Sequence, residues 1–269
     1  MKTLYQKAVA QDQYRQILAK PIAGIGATKV ALRRFLKSID LVGWSRREES
    51  GRLDRRALTR YALGDAAIFS RRERTDAETS AVSILIDVSG STAYEVSKAQ
   101  PEVLRIQVFA EVAVHLTKLI SDCGTSVEVN GFSGSRRVDE HGDLSETVEF
   151  FKVKGYSESQ ASAAPALASI PALLSGSTPD YSALRLSIEA LDKRTENRKI
   201  LFVITDADDY QIKQIKHLDG VAKKLGIIIV AIGVGTADIT KCFTNAASVT
   251  SAEEVFTQSF NKLLNSLKG

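Results

Sequence analysis

Cysteine is scarce in this chain: only Cys123 and Cys242 occur, in no CxxC pair and at no Cys/His spacing that binds metal. The pattern suggests neither a disulfide framework nor a zinc site, and buried thiols are expected instead. Long apolar runs are missing too. No stretch approaches the roughly 18 residues of a membrane-spanning helix, and the opening Met1-Lys2-Thr3-Leu4-Tyr5-Gln6 has no apolar signal core. A cytoplasmic protein is the expectation. The three histidines, His115, His141 and His217, fall in a helical pattern, a polar loop and a charged helix. Packing or surface roles outweigh ligation at each.

Catalytic signatures are equally thin. Ala23-Gly24-Ile25-Gly26-Ala27-Thr28-Lys29 is Gly-rich and ends in Lys, but it lacks the GxxxxGK[ST] spacing and follows no strand, so no ATP site is expected. Gly131-Phe132-Ser133-Gly134-Ser135 resembles a nucleophile elbow, yet its last position is Ser and no partner His follows at a convincing place. A hydrolase is not expected. No repeat with a period of 20 to 50 residues is evident.

Charge, by contrast, is plentiful and uneven. Residues 1–80 hold 17 Lys and Arg against 9 Asp and Glu, and the remainder 19 against 23, so a net of +8 sits beside −4 in a chain of +4. The basic clusters include Leu32 to Lys37, Trp44 to Arg47, Gly51 to Arg56 and Ser70 to Arg74. Such clusters attract nucleic acid or an acidic protein face, although a solvated surface with local ion pairs explains any one of them. Aromatics interleaved with the charges, as stacking on bases requires, are lacking beyond Trp44 and Tyr61.

The most informative stretch is Ser83-Ile84-Leu85-Ile86-Asp87-Val88-Ser89-Gly90-Ser91-Thr92. Ala81 to Ile86 reads as a strand covered on both faces, which puts the polar cluster at its carboxyl end, where open α/β sheets bind ligands. One carboxylate and two hydroxyls offer hard oxygens with little negative charge. That set suits a Mg²⁺ that keeps waters and leaves a position for an incoming acidic group. Two further segments complete the pattern. Ser175-Gly176-Ser177-Thr178-Pro179-Asp180 is a Gly/Pro-punctuated loop presenting the Thr178 hydroxyl, and Ile200-Leu201-Phe202-Val203-Ile204-Thr205-Asp206 is a second apolar strand ended by Asp.

D-x-S-x-S, then T, then D is the order of the metal-ion-dependent adhesion site, and from about Ala81 to its end the chain resembles the von Willebrand factor A family. That resemblance implies Asp87, Ser89, Ser91 and Thr178 as ligands of Mg²⁺ or Mn²⁺, with Asp206 acting through water. One departure is the absence of Gly after Asp206, which is followed by Ala207, Asp208 and Asp209. A narrower resemblance covers roughly Gly24 to the end. A basic helical hairpin, Gly51-Arg52-Leu53-Asp54-Arg55-Arg56-Ala57-Leu58, Phe69-Ser70-Arg71-Arg72 and then the metal-site strand look like the carboxyl-terminal region of the cobaltochelatase CobT-type subunit. The long acidic amino-terminal region of true chelatase subunits is not present. This second resemblance implies a MoxR-like AAA+ ATPase as partner.

The periodicities predict a doubly wound α/β fold, mostly parallel with one antiparallel edge strand and flanked by helices, preceded by a basic, mainly helical segment. The division is 1–80 for that segment and 81–269 for the domain with the metal site. Helices are expected over 3–20 and 26–40, the latter through Val30, Phe35, Leu36 and Ile39. Then come strand 81–87, helix 103–120, strand 126–132, the edge strand 147–153, helix 209–225, strand 226–232 and a terminal helix from the capping box Ser251-Ala252-Glu253-Glu254 to Leu267. The function expected is a non-catalytic, metal-dependent protein-binding module, an adaptor to the ATPase that grips an acidic side chain of its partner. Arg52, Arg55 and Arg56 add long-range attraction. Two alternatives stay open: a nucleic-acid-associated protein binding through the basic segment, and a Mg-dependent enzyme using Asp206, Asp208 and Asp209.

Overall fold

The computed structural model describes residues 2–36, 43–54, 67–73, 80–138, 144–206, 212–236 and 238–256. The chain falls into two compact units, residues 1–36 with 80–269 and residues 37–79. Helices α1 (Lys2–Ala19) and α2 (Ile25–Leu36) come first. The smaller unit follows with β1 (Gly43–Glu48), β2 (Arg52–Leu53) and β3 (Phe69–Glu73), an antiparallel sheet in the order β1-β3-β2. Ser70 closes it by donating from its hydroxyl to the Arg52 carbonyl at 3.1 Å.

The larger unit resumes with β4 (Ser80–Asp87), a hairpin of β5 (Glu95–Ser97) and β6 (Gln100–Leu104), and α3 (Arg105–Asp122). Next are β7 (Ser126–Val138), β8 (Leu144–Lys154), α4 (Gln160–Ala168) and α5 (Asp180–Asp192). The chain continues through β9 (Arg198–Thr205), α6 (Ile212–Lys224), β10 (Ile227–Val234), α7 (Ile239–Cys242), β11 (Ala246–Val249) and α8 (Ala252–Val255). Its sheet runs β11-β10-β9-β4-β7-β8, parallel throughout except for β8, which pairs antiparallel with β7 at the edge.

Strand alternation builds the two faces. Val82, Ile84 and Ile86 of β4, with Ile200, Phe202 and Ile204 of β9, join the core that α3 covers with Val108, Phe109, Val112 and Leu116. Ala81 and Leu85, with Leu201 and Val203, face the other way against Leu184 and Ile188 of α5 and Ile215 of α6. Burial on both faces is why β4 and β9 read as unbroken apolar runs. Each large side chain so buried contributes about 1.5–3 kcal/mol.

Sheet order fixes where a ligand can enter. The crossover after β4 runs through α3 to β7 on one side, whereas β9, β10 and β11 add on the other side of β4. The strand order therefore reverses at β4, and the crevice lies beyond the carboxyl ends of β4 and β9.

The expected 1–80 segment divides differently from the expectation. Its first half is helical and belongs to the larger unit: His115 of α3 contacts the Ile17 carbonyl at 3.2 Å, and the Thr28 hydroxyl donates to the Phe256 carbonyl at 2.9 Å. Its described second half is strand, not helix. GWSRRE and FSRRE carry too few apolar residues for either periodicity to show. In α2 the buried stripe is Thr28, Ala31, Leu32, Phe35 and Leu36, leaving Val30 52% exposed, and Ile39 lies outside the described residues. At the expected terminal capping box Ser251 Oγ accepts from the Glu254 amide at 3.2 Å, while the Glu254 carboxylate accepts from the amide of Thr250, one residue before the cap, at 2.6 Å; the expected helix beyond Phe256 also lies outside the described residues. Among the described residues no helix is long and apolar enough to cross a membrane.

Candidate metal centre

Asp87 is the last residue of β4 and is fully buried. The chain turns at once: the Ser89 amide donates to Asp87 Oδ1 at 2.8 Å, and residues 90–93 coil into a 3-10 turn locked by the Thr92 hydroxyl on the Ser89 carbonyl at 2.7 Å. This tight turn brings the alternate residues Ser89 and Ser91 onto one side, with their hydroxyls 3.0 Å apart. From the second loop, Thr178 donates to Ser89 Oγ at 2.8 Å. From the third, Asp206 accepts from Ser91 Oγ at 3.2 Å. All five predicted residues, Asp87, Ser89, Ser91, Thr178 and Asp206, thus meet at the switch-point crevice.

Backbone contacts hold the second loop in place. Gly134 of β7 and Ser177 exchange both amide-to-carbonyl bonds at 2.8 Å, the Ser175 amide donates to the Val88 carbonyl at 2.9 Å, and the Gly90 amide to the Gly176 carbonyl at 3.0 Å. Only glycine permits this approach. Gly176 sits at φ +65°, and a Cβ there would lie 2.0 Å from the Gly134 carbonyl oxygen. Ser133 and Gly134, the elbow-like string of the sequence, are part of this cradle. Ser133 is buried with its hydroxyl 3.0 Å from that of Ser175, inside a continuous strand.

The donor set is all oxygen and fits a hard divalent cation. Asp87 uses one carboxylate oxygen on the Ser89 amide and the other on the Thr205 hydroxyl at 3.1 Å, which leaves lone pairs over for a cation. Burial, and then the negative charge of Asp206, push the Asp87 carboxyl up to about 7, against the hydrogen bonds from Ser89 and Thr205. A buried carboxylate facing another is costly without a positive partner. Among the described residues no three of His, Cys, Asp and Glu gather to bind a metal, because hydroxyls supply more than half of this cluster.

Sequence reasoning missed two residues. Thr205, at the end of β9, is the buried donor to Asp87. Arg105, the first residue of α3, donates from Nη1 to Asp206 Oδ2 at 2.9 Å. A signal for the second was present: a cation at a helix amino terminus opposes the helix dipole and asks for an anion nearby. The other expected residues lie elsewhere. Arg52 is exposed on β2 of the smaller unit, while Arg55, Arg56, Asp208 and Asp209 lie outside the described residues. His115 is buried edge-on to Phe256 with ring centroids 5.9 Å apart, and burial holds its pKa below the usual value. His217 is exposed, His141 lies outside the described residues, and both cysteines are buried thiols.

Residues 82–268, more than half of the chain, match the family model for the von Willebrand factor type A domain. A search of curated proteins by sequence found no match. Among solved structures, the chain is similar to the PilB minor pilin from Streptococcus sanguinis at 15% identity and a TM-score of 0.52, over 74% of this chain and 64% of that one. A point mutant of that pilin aligns at 16% identity with the same TM-score and shares. The SpaC pilus adhesin from Lactobacillus rhamnosus GG aligns at 13% identity and a TM-score of 0.49, over 72% of this chain and 31% of that one. This chain spans 64% of the length of the pilin chains it matches, and the likeness is one of fold alone.

Proposed function

The chain belongs to the von Willebrand factor type A family, and on that premise we propose that it is a non-catalytic, metal-dependent protein-binding module, an adaptor for a MoxR-like AAA+ ATPase in the cytoplasm. The observation that carries the reading is the meeting of three loops at one crevice, with the Ser89 hydroxyl 3.0 Å from that of Ser91 and 2.8 Å from that of Thr178, beside two buried carboxylates. Asp87, Ser89, Ser91 and Thr178 would hold a Mg²⁺ or Mn²⁺ ion directly, and Asp206 through water. When bound, the ion supplies a Lewis-acidic position for a carboxylate oxygen of the partner.

The chain's own groups do the rest. Asp87 gives up its proton to become a ligand, the Thr205 hydroxyl and Ser89 amide hold both its oxygens in orientation, and the Gly134–Ser177 bridge keeps Thr178 at the crevice. Tyr94, 64% exposed and directly after the 3-10 turn, offers a partner an aromatic surface beside the crevice.

Titration calorimetry with Mg²⁺ tests the centre. Wild type is expected to bind one ion and Asp87→Ala none; stoichiometric binding retained by that variant sinks the assignment. The adaptor role is tested by pull-down with a MoxR-like AAA+ ATPase. Attachment that persists unchanged in chelator removes the metal from the interaction, and robust ATP hydrolysis by the chain alone, lost in Asp206→Ala, replaces the binding module with an enzyme.

A further inference from the structure

Arg105 occupies a place that local rules disfavour. It opens α3, whose first turn contains no acidic residue, so its charge lies against the positive end of the helix dipole. Its surroundings offset this. Nη1 donates to Asp206 Oδ2 at 2.9 Å, Nε to the Glu95 carbonyl at 3.3 Å, and its backbone amide to the Tyr94 carbonyl at 3.0 Å. The pair is sheltered, with the Arg105 side chain 23% exposed and that of Asp206 5%. Space for the guanidinium is built in at the end of β10. Gly235 sits there at φ +71°, and a Cβ on it would lie 3.2 Å from Arg105 Nε and 2.8 Å from the Val96 carbonyl oxygen. Three parts of the chain therefore converge on one cation: the β5–β6 hairpin that leads straight into α3, the residue after β9 and the loop after β10.

The consequence for Asp206 is geometric. Its Oδ1 accepts from Ser91 and its Oδ2 from Arg105, so the carboxylate is tethered from two sides. The consequence for the centre is a matter of charge. Asp87 and Asp206 together balance a divalent ion, and Arg105 adds a further positive charge.

We infer that Arg105 is a positioning and specificity-determining residue of this centre: it holds Asp206 back from direct ligation and leaves the loaded site net positive, so that an anionic ligand is preferred over a neutral one. The inference rests on the metal-binding reading above. Arg105 weakens the hold on the cation by like-charge repulsion and strengthens the hold on an acidic group by attraction. A neutral residue there reverses both.

The test uses the full chain as wild type, Arg105→Gln and Arg105→Lys, titrated with Mn²⁺ by calorimetry, with acetate then added as the smallest carboxylate probe and followed by water-proton relaxation. Arg105→Gln is expected to bind Mn²⁺ about tenfold more tightly and acetate at the loaded site at least about threefold more weakly. Arg105→Lys keeps the charge and is expected to stay within about twofold of wild type on both. Thermal melts give a readout that a purely structural arginine does not move: the gain in midpoint on adding Mn²⁺ is larger in Arg105→Gln than in wild type, since tighter ligands stabilise more. A folded Arg105→Gln that binds Mn²⁺ no more tightly than wild type overturns the inference while leaving the metal centre standing. Wild type that binds no Mn²⁺ overturns the centre, and the inference with it. If Arg105→Gln does not fold, Arg105→Met, which keeps the stem's packing, takes its place under the same expectations. Failure of both to fold even with Mn²⁺ present assigns Arg105 to the fold alone.

Discussion

Thr205 and Asp87 end adjacent parallel strands, and the Thr205 hydroxyl donates to Asp87 Oδ2 at 3.1 Å, with both side chains buried. The bond belongs to the charged form of Asp87. Thr205→Val keeps the shape and deletes the donor, leaving one carboxylate oxygen without its partner. A hydrogen bond to a charged group is worth about 1.5–3 kcal/mol, so Mg²⁺ binding near neutral pH is expected to weaken by about tenfold or more. Calorimetry on the variant, with a thermal melt to show it folded, decides this; unchanged affinity would remove Thr205 from the site's support.

Asp87 also sets a pH dependence. Its carboxyl stands at about 7 in the fold against an ordinary 3.8, so between those values the metal-free native state holds a proton that the unfolded chain has lost. The stability this contributes is present below the ordinary value and is lost as pH rises through about 7. Metal-free protein is therefore expected to lose stability across that window, and Asp87→Asn to flatten the slope. Metal affinity runs the other way, falling as the solution is acidified below about 7, because the ion must displace the proton. Urea melts in chelator and Mg²⁺ titrations at several pH values measure the two slopes, and parallel slopes in wild type and Asp87→Asn contradict the assignment.

Gly176→Ala combines a Cβ placed 2.0 Å from the Gly134 carbonyl oxygen with a backbone at φ +65°. Strain of that kind costs about 1–3 kcal/mol, and the loop can escape it only by leaving β7. The expected result is a lower urea midpoint together with lost Mg²⁺ binding, since Thr178 moves with the loop. Full metal affinity in a destabilised variant would uncouple the cradle from the site.

Attraction by the basic segment and grip by the metal centre respond to different conditions. The Debye length shortens from about 10 Å at 0.1 M salt to about 3 Å at 1 M, so if Arg52, Arg55 and Arg56 attract a partner, that share of the binding is expected to fade with salt. The share owed to the ion vanishes with chelator. Pull-down of the ATPase across salt, with and without chelator, separates them. ATPase binding untouched by chelator, together with nucleic-acid binding abolished by Arg55→Glu with Arg56→Glu, hands the function to the nucleic-acid alternative.

Much of the architecture could be read directly. Apolar runs ended by Asp marked β4 and β9, the alternation around Thr147 to Val153 marked the antiparallel edge β8, and helical spacing marked α3. The pieces that escaped notice are short or polar. The β5–β6 hairpin, Glu95–Ser97 with Gln100–Leu104, has too few residues for a period to emerge. β11, Ala246–Val249, was hidden by small residues that are strand only because they pair with β10.

At the site the division follows sequence distance. Asp87, Ser89 and Ser91 lie within one turn, Thr178 lies in a recognisable Gly/Pro loop and Asp206 ends an apolar strand, so local chemistry and order were enough to name them. That these five meet, that Thr205 rather than another hydroxyl reaches Asp87, and that Arg105 pairs with Asp206 depend on β9 lying beside β4 with α3 starting above them. The amino-acid sequence determined the strands, the turns and the ligand types, because periodicity and turn preference act over a few residues. Only the tertiary structure decided the neighbours of each carboxylate, because strand order is set by packing the two faces of the whole sheet, and no local pattern records which distant residue that packing brings within hydrogen-bond reach.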